Sequence, residues 1–247
     1  MHEIPAKTVS VIIPAYKEEE FISDTIQDVV ESLRTGTLGF EIIIVLDITP
    51  GDRTVSIVRM EAHKFKEIRL VERLGKRGVG DAIRAGMGLA EGKIVIPVMA
   101  DHSETGGDLL RLLHVALQGY DVTVANRFGR GKPPSYPLAK YVANRILNLS
   151  ARFLLTLPIS DVTNAFKAYR KDLLKSVTLQ SKGFEIFLEL PVKTIRLRRS
   201  RIATVQADHV ARKKSEPKLS LFREGPRYAK LLLFLFLQRS KTVVRQT

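Results

Sequence analysis

Short runs of apolar residues set the strongest limit on how this chain can fold. Val9–Ile13, Ile42–Leu46, Ile68–Val71, Ile94–Met99 and Val122–Ala125 have strand length and are apolar almost throughout. Successive side chains of a strand point to opposite faces, so such runs need apolar cover on both sides of their sheet. Between them lie stretches with helical spacing: Phe21, Ile22, Ile26, Val29, Val30 and Leu33; Val55, Ile57, Val58 and Ala62; Ala82, Ile83, Met87 and Ala90; Leu109, Leu110, Leu112, Leu113 and Leu117. This alternation at βαβ spacing predicts an α/β fold with a mostly parallel sheet and helices on both faces. No internal repeat or low-complexity tract interrupts it.

After Phe128 the pattern changes. Gly129-Arg130-Gly131-Lys132-Pro133-Pro134 reads as a basic loop. Leu138–Thr156 reads as a helix with Leu138, Tyr141, Val142, Leu149, Phe153 and Leu154 on one side and Lys140, Asn144, Asn148 and Arg152 elsewhere. Leu173–Val177 and Gly183–Val192 read as shorter helices and Ile202–Ala207 as a last strand. Tyr228–Leu237 holds seven successive apolar residues, Leu231 to Leu237. A membrane span needs roughly 20, so no transmembrane helix is expected. Both apolar helices are flanked by Lys and Arg. They could pack on the domain or lie in a membrane interface.

The net charge is +14 in 247 residues, and its placement is uneven. Lys193 to Thr247 carries 15 Lys and Arg against 3 Asp and Glu, whereas the first 192 residues are nearly balanced. A basic last quarter suggests an anionic partner, with an anionic membrane surface favoured. Aromatics are not interleaved with the basic run as a single-strand nucleic-acid binder would want, so no nucleic acid is expected. There is no cysteine, which excludes disulfides, thiolate metal sites and cysteine nucleophiles. The N-terminus lacks the layout of a signal peptide. The division expected is a catalytic domain over 1–210 and a basic amphipathic segment over 211–247.

Four polar clusters follow the strands: Pro14–Glu20, Asp47–Thr54, Gly75–Asp81 and Asp101–Glu104. In a doubly wound sheet these loops share the C-terminal edge, where ligands bind. Asp47 offers an acceptor for a base or ribose. Lys76, Arg77 and Gly78 offer cations and amides to phosphate. Asp101, with Ser103 and Glu104, offers hard oxygens to a divalent cation. Each cluster alone has a plain structural reading as a cap or turn; their order is what describes a nucleotide-diphosphate site.

VSVIIPAYKEEE, VLDITPGDRT, GKRGVGDAIRAGM and VMADHSETGGDL, in that order, resemble the family 2 inverting glycosyltransferases of GT-A fold. NRFGRG, DVTNAFKAYRK, GFEIFLEL and ARKKSEPKLSLFREGPRYAKLL extend the likeness to the polyprenyl-phosphate sugar transferases of the dolichol-phosphate mannosyltransferase type. The resemblance implies that Pro14, Tyr16, Glu18 and Asp47 contact the donor nucleotide. It implies that Asp101 is the second Asp of an Asp-x-Asp metal motif whose first member is replaced by Met99. It places Arg127 near the phosphates, and Asn164 in the acceptor region. Arg212, Lys214 and Lys218 match a late basic motif tied to the lipid phosphate, and Arg130 and Lys132 are expected to join them.

The activity implied by this resemblance is transfer of a hexosyl group, with inversion, from a GDP-mannose or UDP-glucose type donor to a polyprenyl phosphate. Mg or Mn would assist. The enzyme is expected to sit peripherally on the cytoplasmic side of a membrane. A glycan, protein or small-molecule hydroxyl acceptor remains open, as does a catalytically dead binder of anionic membrane or nucleic acid.

Overall fold

The computed structural model describes residues 7–36, 38–75, 77–134, 136–197, 200–208 and 221–244, with backbone alone for 221–223 and 239–244. The elements run β1 (Lys7–Ala15), α1 (Ile22–Arg34), β2 (Gly39–Ile48), α2 (Thr54–Lys64), β3 (Ile68–Leu74), α3 (Val79–Leu89), β4 (Ile94–Pro97) and α4 (Gly106–Ala116). The chain continues through β5 (Val122–Asn126), α5 (Leu138–Leu155), β6 (Lys167–Arg170), α6 (Lys171–Leu174), α7 (Ile186–Arg196), β7 (Ile202–Gln206) and α8 (Leu221–Val244).

Seven strands form one sheet in the order β3-β2-β1-β4-β6-β5-β7. All neighbours are parallel except β6, which runs antiparallel to β4 and β5. The chain winds outward from β1 through β2 to β3, then crosses back to β4. The gap between the C-terminal ends of β1 and β4 is therefore the switch point at which open α/β sheets bind ligands.

The apolar strands are explained by two cores, one on each face. Ile12, Ile43, Val45, Val95, Val122 and Val124 face α3, α5, α7 and α8. Val9, Val11, Ile13, Ile42, Ile44, Leu46 and Ile96 face α1, α2 and α4. Neighbouring residues on β1 and β2 go to opposite cores, as the pleat requires.

Two expectations need correction. First, the strand expected over Ile94–Met99 ends at Pro97. Proline brings no amide to the ladder, although the Val98 amide still donates to the Ile12 carbonyl at 2.9 Å. Met99 then packs against the α3/α5 core. Second, β6 has no counterpart among the expected strands, since two of its four residues, Lys167 and Arg170, are charged.

The orientation of α5, left open by the sequence, is opposite to that of an ordinary surface helix. Asn148, Ala151 and Leu155 are its buried residues. Leu138 (67% exposed), Val142 (46%), Ile146 (62%), Leu149 (64%) and Phe153 (83%) point outward. α8 packs beside it and buries Tyr228, Leu232 and Leu235 while exposing Leu233, Phe234, Phe236 and Leu237. Among the described residues, no helix is long and apolar enough to cross a membrane.

Candidate functional site

The first wall of the site follows β1. Lys17 has φ of +52°, and its amide donates to Asp52 Oδ2 at 3.0 Å. The Glu18 amide donates to Thr54 Oγ1 at 2.8 Å, and Asp52 in turn accepts from the Thr54 amide and hydroxyl. These bonds lock the turn after β1 to the start of α2. Pro14 lies within β1, Tyr16 is half-buried and Glu18 is buried at the edge.

The second wall is built on Asp47, at the end of β2. Its carboxylate is buried and ion-paired with Arg73, whose Nε donates at 2.8 Å. It also accepts the amides of Arg77 at 2.9 Å and Gly78 at 3.2 Å. Asp47 thus holds the glycine-containing turn in place, instead of standing open to a base or ribose. The Gly78 amide is engaged by Asp47 and is not offered to a phosphate, whereas the Arg77 side chain is exposed. Lys76 lies outside the described residues.

The third wall is the segment after β4. The Ser103 amide donates to Asp101 Oδ1 at 3.2 Å. Glu104 Oε2 is buried without a hydrogen-bond partner. Burial pushes the Glu104 carboxyl up to about 8, and the neighbouring Asp101 carboxylate adds to the rise. The Ser103 hydroxyl, the Met99 amide and Arg127 oppose it without cancelling it. A carboxyl raised by burial beside the Asp101 carboxylate, with an orphaned buried oxygen, forms an environment that a hard cation would satisfy. Among the described residues no group of three or more His, Cys, Asp or Glu could hold a metal, so a cation here would need oxygens from its ligand.

The fourth wall is a buried polar network behind Arg127. Its guanidinium donates to Asp161 through Nε at 2.9 Å and Nη2 at 2.8 Å, and its amide donates at 3.0 Å. Burial opposes both charges, but the pair outweighs it: the Arg127 pKa is raised and the Asp161 pKa lowered. Thr163 donates its amide to Asn148 Oδ1 at 3.0 Å, and Asn148 donates to Thr163 Oγ1 at 3.2 Å. This network accounts for the reversed α5: its inner face carries the amides that support Asp161 and Thr163. Lys167 is fully buried among the Val162 and Asn164 carbonyls, and burial pulls its ammonium down to about 7 against the opposing pull of Asp161.

The remaining expected acceptor contacts divide. Asn164 is buried and donates to the Ala125 carbonyl at 2.8 Å while accepting the Phe166 amide. Its side chain stitches β5 to the segment before β6, so a direct acceptor contact is corrected to a structural one. Arg130 is exposed and lies 3.6 Å from Asp208. Lys132 donates to the Pro133, Pro134 and Tyr136 carbonyls and tightens the basic loop. Arg212, Lys214 and Lys218 lie outside the described residues.

Sequence reasoning missed Asp161 and Glu189, both fully buried. The signal was available for Glu189, a lone carboxylate inside the apolar stretch Ile186–Val192, but not for Asp161, which sits among Ser160, Thr163 and Asn164. Buried acids in such settings are paired or hydrogen-bonded.

The family model described as glycosyl transferase family 2 matches residues 10–178. A dolichol-phosphate mannosyltransferase of Pyrococcus furiosus is 27% identical over 188 residues, covering 75% of this chain. The chain spans about half of that relative's length, 52%. An undecaprenyl-phosphate mannosyltransferase of Micrococcus luteus is 29% identical over 218 residues, covering 86% of this chain and 87% of the relative. Glucosyl-3-phosphoglycerate synthase from Mycobacterium tuberculosis, solved with Mn2+, uridine-diphosphate and glucosyl-3-phosphoglycerate, superposes with a TM-score of 0.69 at 18% identity. That match covers 94% of this chain and 80% of the other, and it establishes the shared GT-A fold. The chain belongs to glycosyl transferase family 2 and is a glycosyltransferase.

Proposed function

We propose that this chain transfers a hexosyl group from a nucleotide sugar to a polyprenyl phosphate, with inversion at the anomeric carbon, while docked on an anionic membrane surface. The observation that carries this reading is the outward apolar face of α5, next to the basic loop Arg127–Lys132 at the open edge of the sheet. A lipid phosphate needs that combination: apolar surface for its tail and cations for its head.

The donor would lie across the β1/β4 switch point, against Tyr16 and Arg77, on the turn that Asp47 holds in place. Asp101 and Glu104 would hold a divalent metal (Mg or Mn), and Ser103 would support them. When bound there, the metal would spread the charge of the departing diphosphate. Arg127 keeps Nη1 for an anion, since Asp161 and Thr163 take Nε and Nη2 among the described residues. An acceptor phosphate is already anionic and attacks directly, so no general base is required. Rate enhancement then comes from alignment and from fixed charge. The last quarter, with Arg212, Lys214 and Lys218, would add membrane attraction of about 1 kcal/mol per basic residue near the surface.

A screen of GDP- and UDP-sugars against short polyprenyl phosphates, glycans and simple alcohols tests this reading. One nucleotide sugar should give product with the polyprenyl phosphate and none with a hydroxyl. An Asp101→Asn variant should keep its fold and lose on the order of a hundredfold in turnover. Product formed only on a hydroxyl acceptor would overturn the lipid-phosphate assignment.

A further inference from the structure

The turn after β3 is held from two sides by two buried carboxylates. Asp47 accepts the Arg77 and Gly78 amides on one side. On the other lies the segment Gln180–Lys182. The Gly80 amide donates to the Lys182 carbonyl at 2.9 Å, and Arg84 donates to the Ser181 carbonyl. The approach is so close that a Cβ on Gly78 or Gly80 would overlap the carbonyl oxygens of Lys182 or Ser181. Gly78 also has φ of +98°, a region other residues rarely adopt.

Glu189 of α7 fixes that segment in turn. Its carboxylate is fully buried. It accepts the Gln180 amide at 3.0 Å on each oxygen, the Ser181 amide at 2.8 Å and the Lys193 ammonium at 2.6 Å. With both amides turned toward Glu189, the carbonyls of Ser181 and Lys182 face the glycine turn. At the far end Tyr228 of α8 donates to the Phe184 carbonyl at 2.6 Å.

We infer that Glu189 is a positioning residue for the nucleotide donor, acting through Gln180–Lys182 on the Arg77–Gly80 turn without touching the donor itself. The inference rests on the reading of that turn as part of the donor site. Binding sites depend on supporting groups of this kind, because a shift of about 1 Å can cost on the order of a hundredfold in rate.

The test is calorimetric binding of UDP and of GDP, each with Mn2+, to the full chain and to Glu189→Gln. Glutamine would set an N–H group against the amides that the carboxylate accepts. Affinity should fall about tenfold, the donor KM should rise by the same factor, and kcat should be unchanged. Amide exchange should quicken at Gly80, Gln180 and Ser181 but not in β1. Leu112→Ala, in the core on the opposite face of the sheet, is the stability control. It should lower Tm and leave nucleotide affinity as in the unaltered chain. Unchanged affinity in Glu189→Gln, or an equal loss in Leu112→Ala, would overturn the positioning role. If the unaltered chain binds neither nucleotide, the donor-site reading fails and this inference falls with it.

Discussion

α1 and α5 carry nearly the same apolar rhythm and use it in opposite ways. In α1 the stripe Ile22, Ile26, Val29, Val30 and Leu33 is buried against the sheet. In α5 the stripe Leu138, Val142, Ile146, Leu149 and Phe153 faces outward, and a face of Asn148, Ala151 and Leu155 turns inward. Periodicity therefore reports that a helix has two faces, but not which face meets the core. What decides it in α5 is the polar demand beneath it. Asp161 and Thr163 need donors and acceptors, and Asn144 and Asn148 supply them.

The largest contrast expected is in stability. Ile26→Ala should cost about 2–5 kcal/mol, as for other fully buried aliphatic side chains. Phe153→Ser should stay within about 0.5 kcal/mol. Chemical denaturation of both variants measures this directly, and equal losses would mean that α5 is covered in the folded chain.

A smaller effect sharpens the same contrast from the inner face. Asn148→Leu replaces a polar residue by an apolar one at a buried position, which would help an ordinary helix. Here it should cost about 1–3 kcal/mol, because the Thr163 amide and the Asp161 carboxylate lose a buried partner. A gain in Tm would show that the polar face is not what holds α5 down.

Buried carboxylates extend the comparison to pH. Glu61 lies under α1. Burial would raise its pKa, but Ser23, Lys64 and Gln27 outweigh that and hold it below the ordinary value. Glu104 is pushed up to about 8. Glu61 contributes stability above the unfolded carboxyl pKa of about 4.3, and that contribution is lost as pH falls through its folded value. Glu104 has the opposite sign: its contribution is full below about 4.3 and is lost as pH rises toward 8. In EDTA, Glu104→Gln should therefore raise Tm at pH 8 and leave it nearly unchanged at pH 5. A variant whose Tm tracks the unaltered chain across that range would contradict the burial of the Glu104 carboxyl with Oε2 unpartnered.

The sheet and the two flanking cores were legible because continuous apolar strands admit few solutions. The four loops were legible because strand order places them on one edge. Asp101 lies close enough to Glu104 to act on its carboxyl. Other parts were hidden for physical reasons. β6 is four residues long and half charged, so neither length nor hydropathy marks it. The tasks of Asp47 and Asn164 depend on which backbone amides and carbonyls happen to face them, which only the folded chain reveals. Arg127 was singled out from sequence, but Asp161, which orients it, was not, because a carboxylate 34 residues away leaves no local trace.

The proposed transfer to a membrane-embedded acceptor requires the outward face of α5 and the site at the sheet edge to act together. The direct measurement compares the unaltered chain with a Leu138→Ser, Ile146→Ser, Leu149→Ser, Phe153→Ser variant. Each is assayed on polyprenyl phosphate in anionic vesicles and on a short, water-soluble polyprenyl phosphate. Transfer in vesicles should collapse in the variant, while transfer to the soluble acceptor and Tm are retained. Equal transfer by both proteins in vesicles would contradict a membrane-docking role for α5.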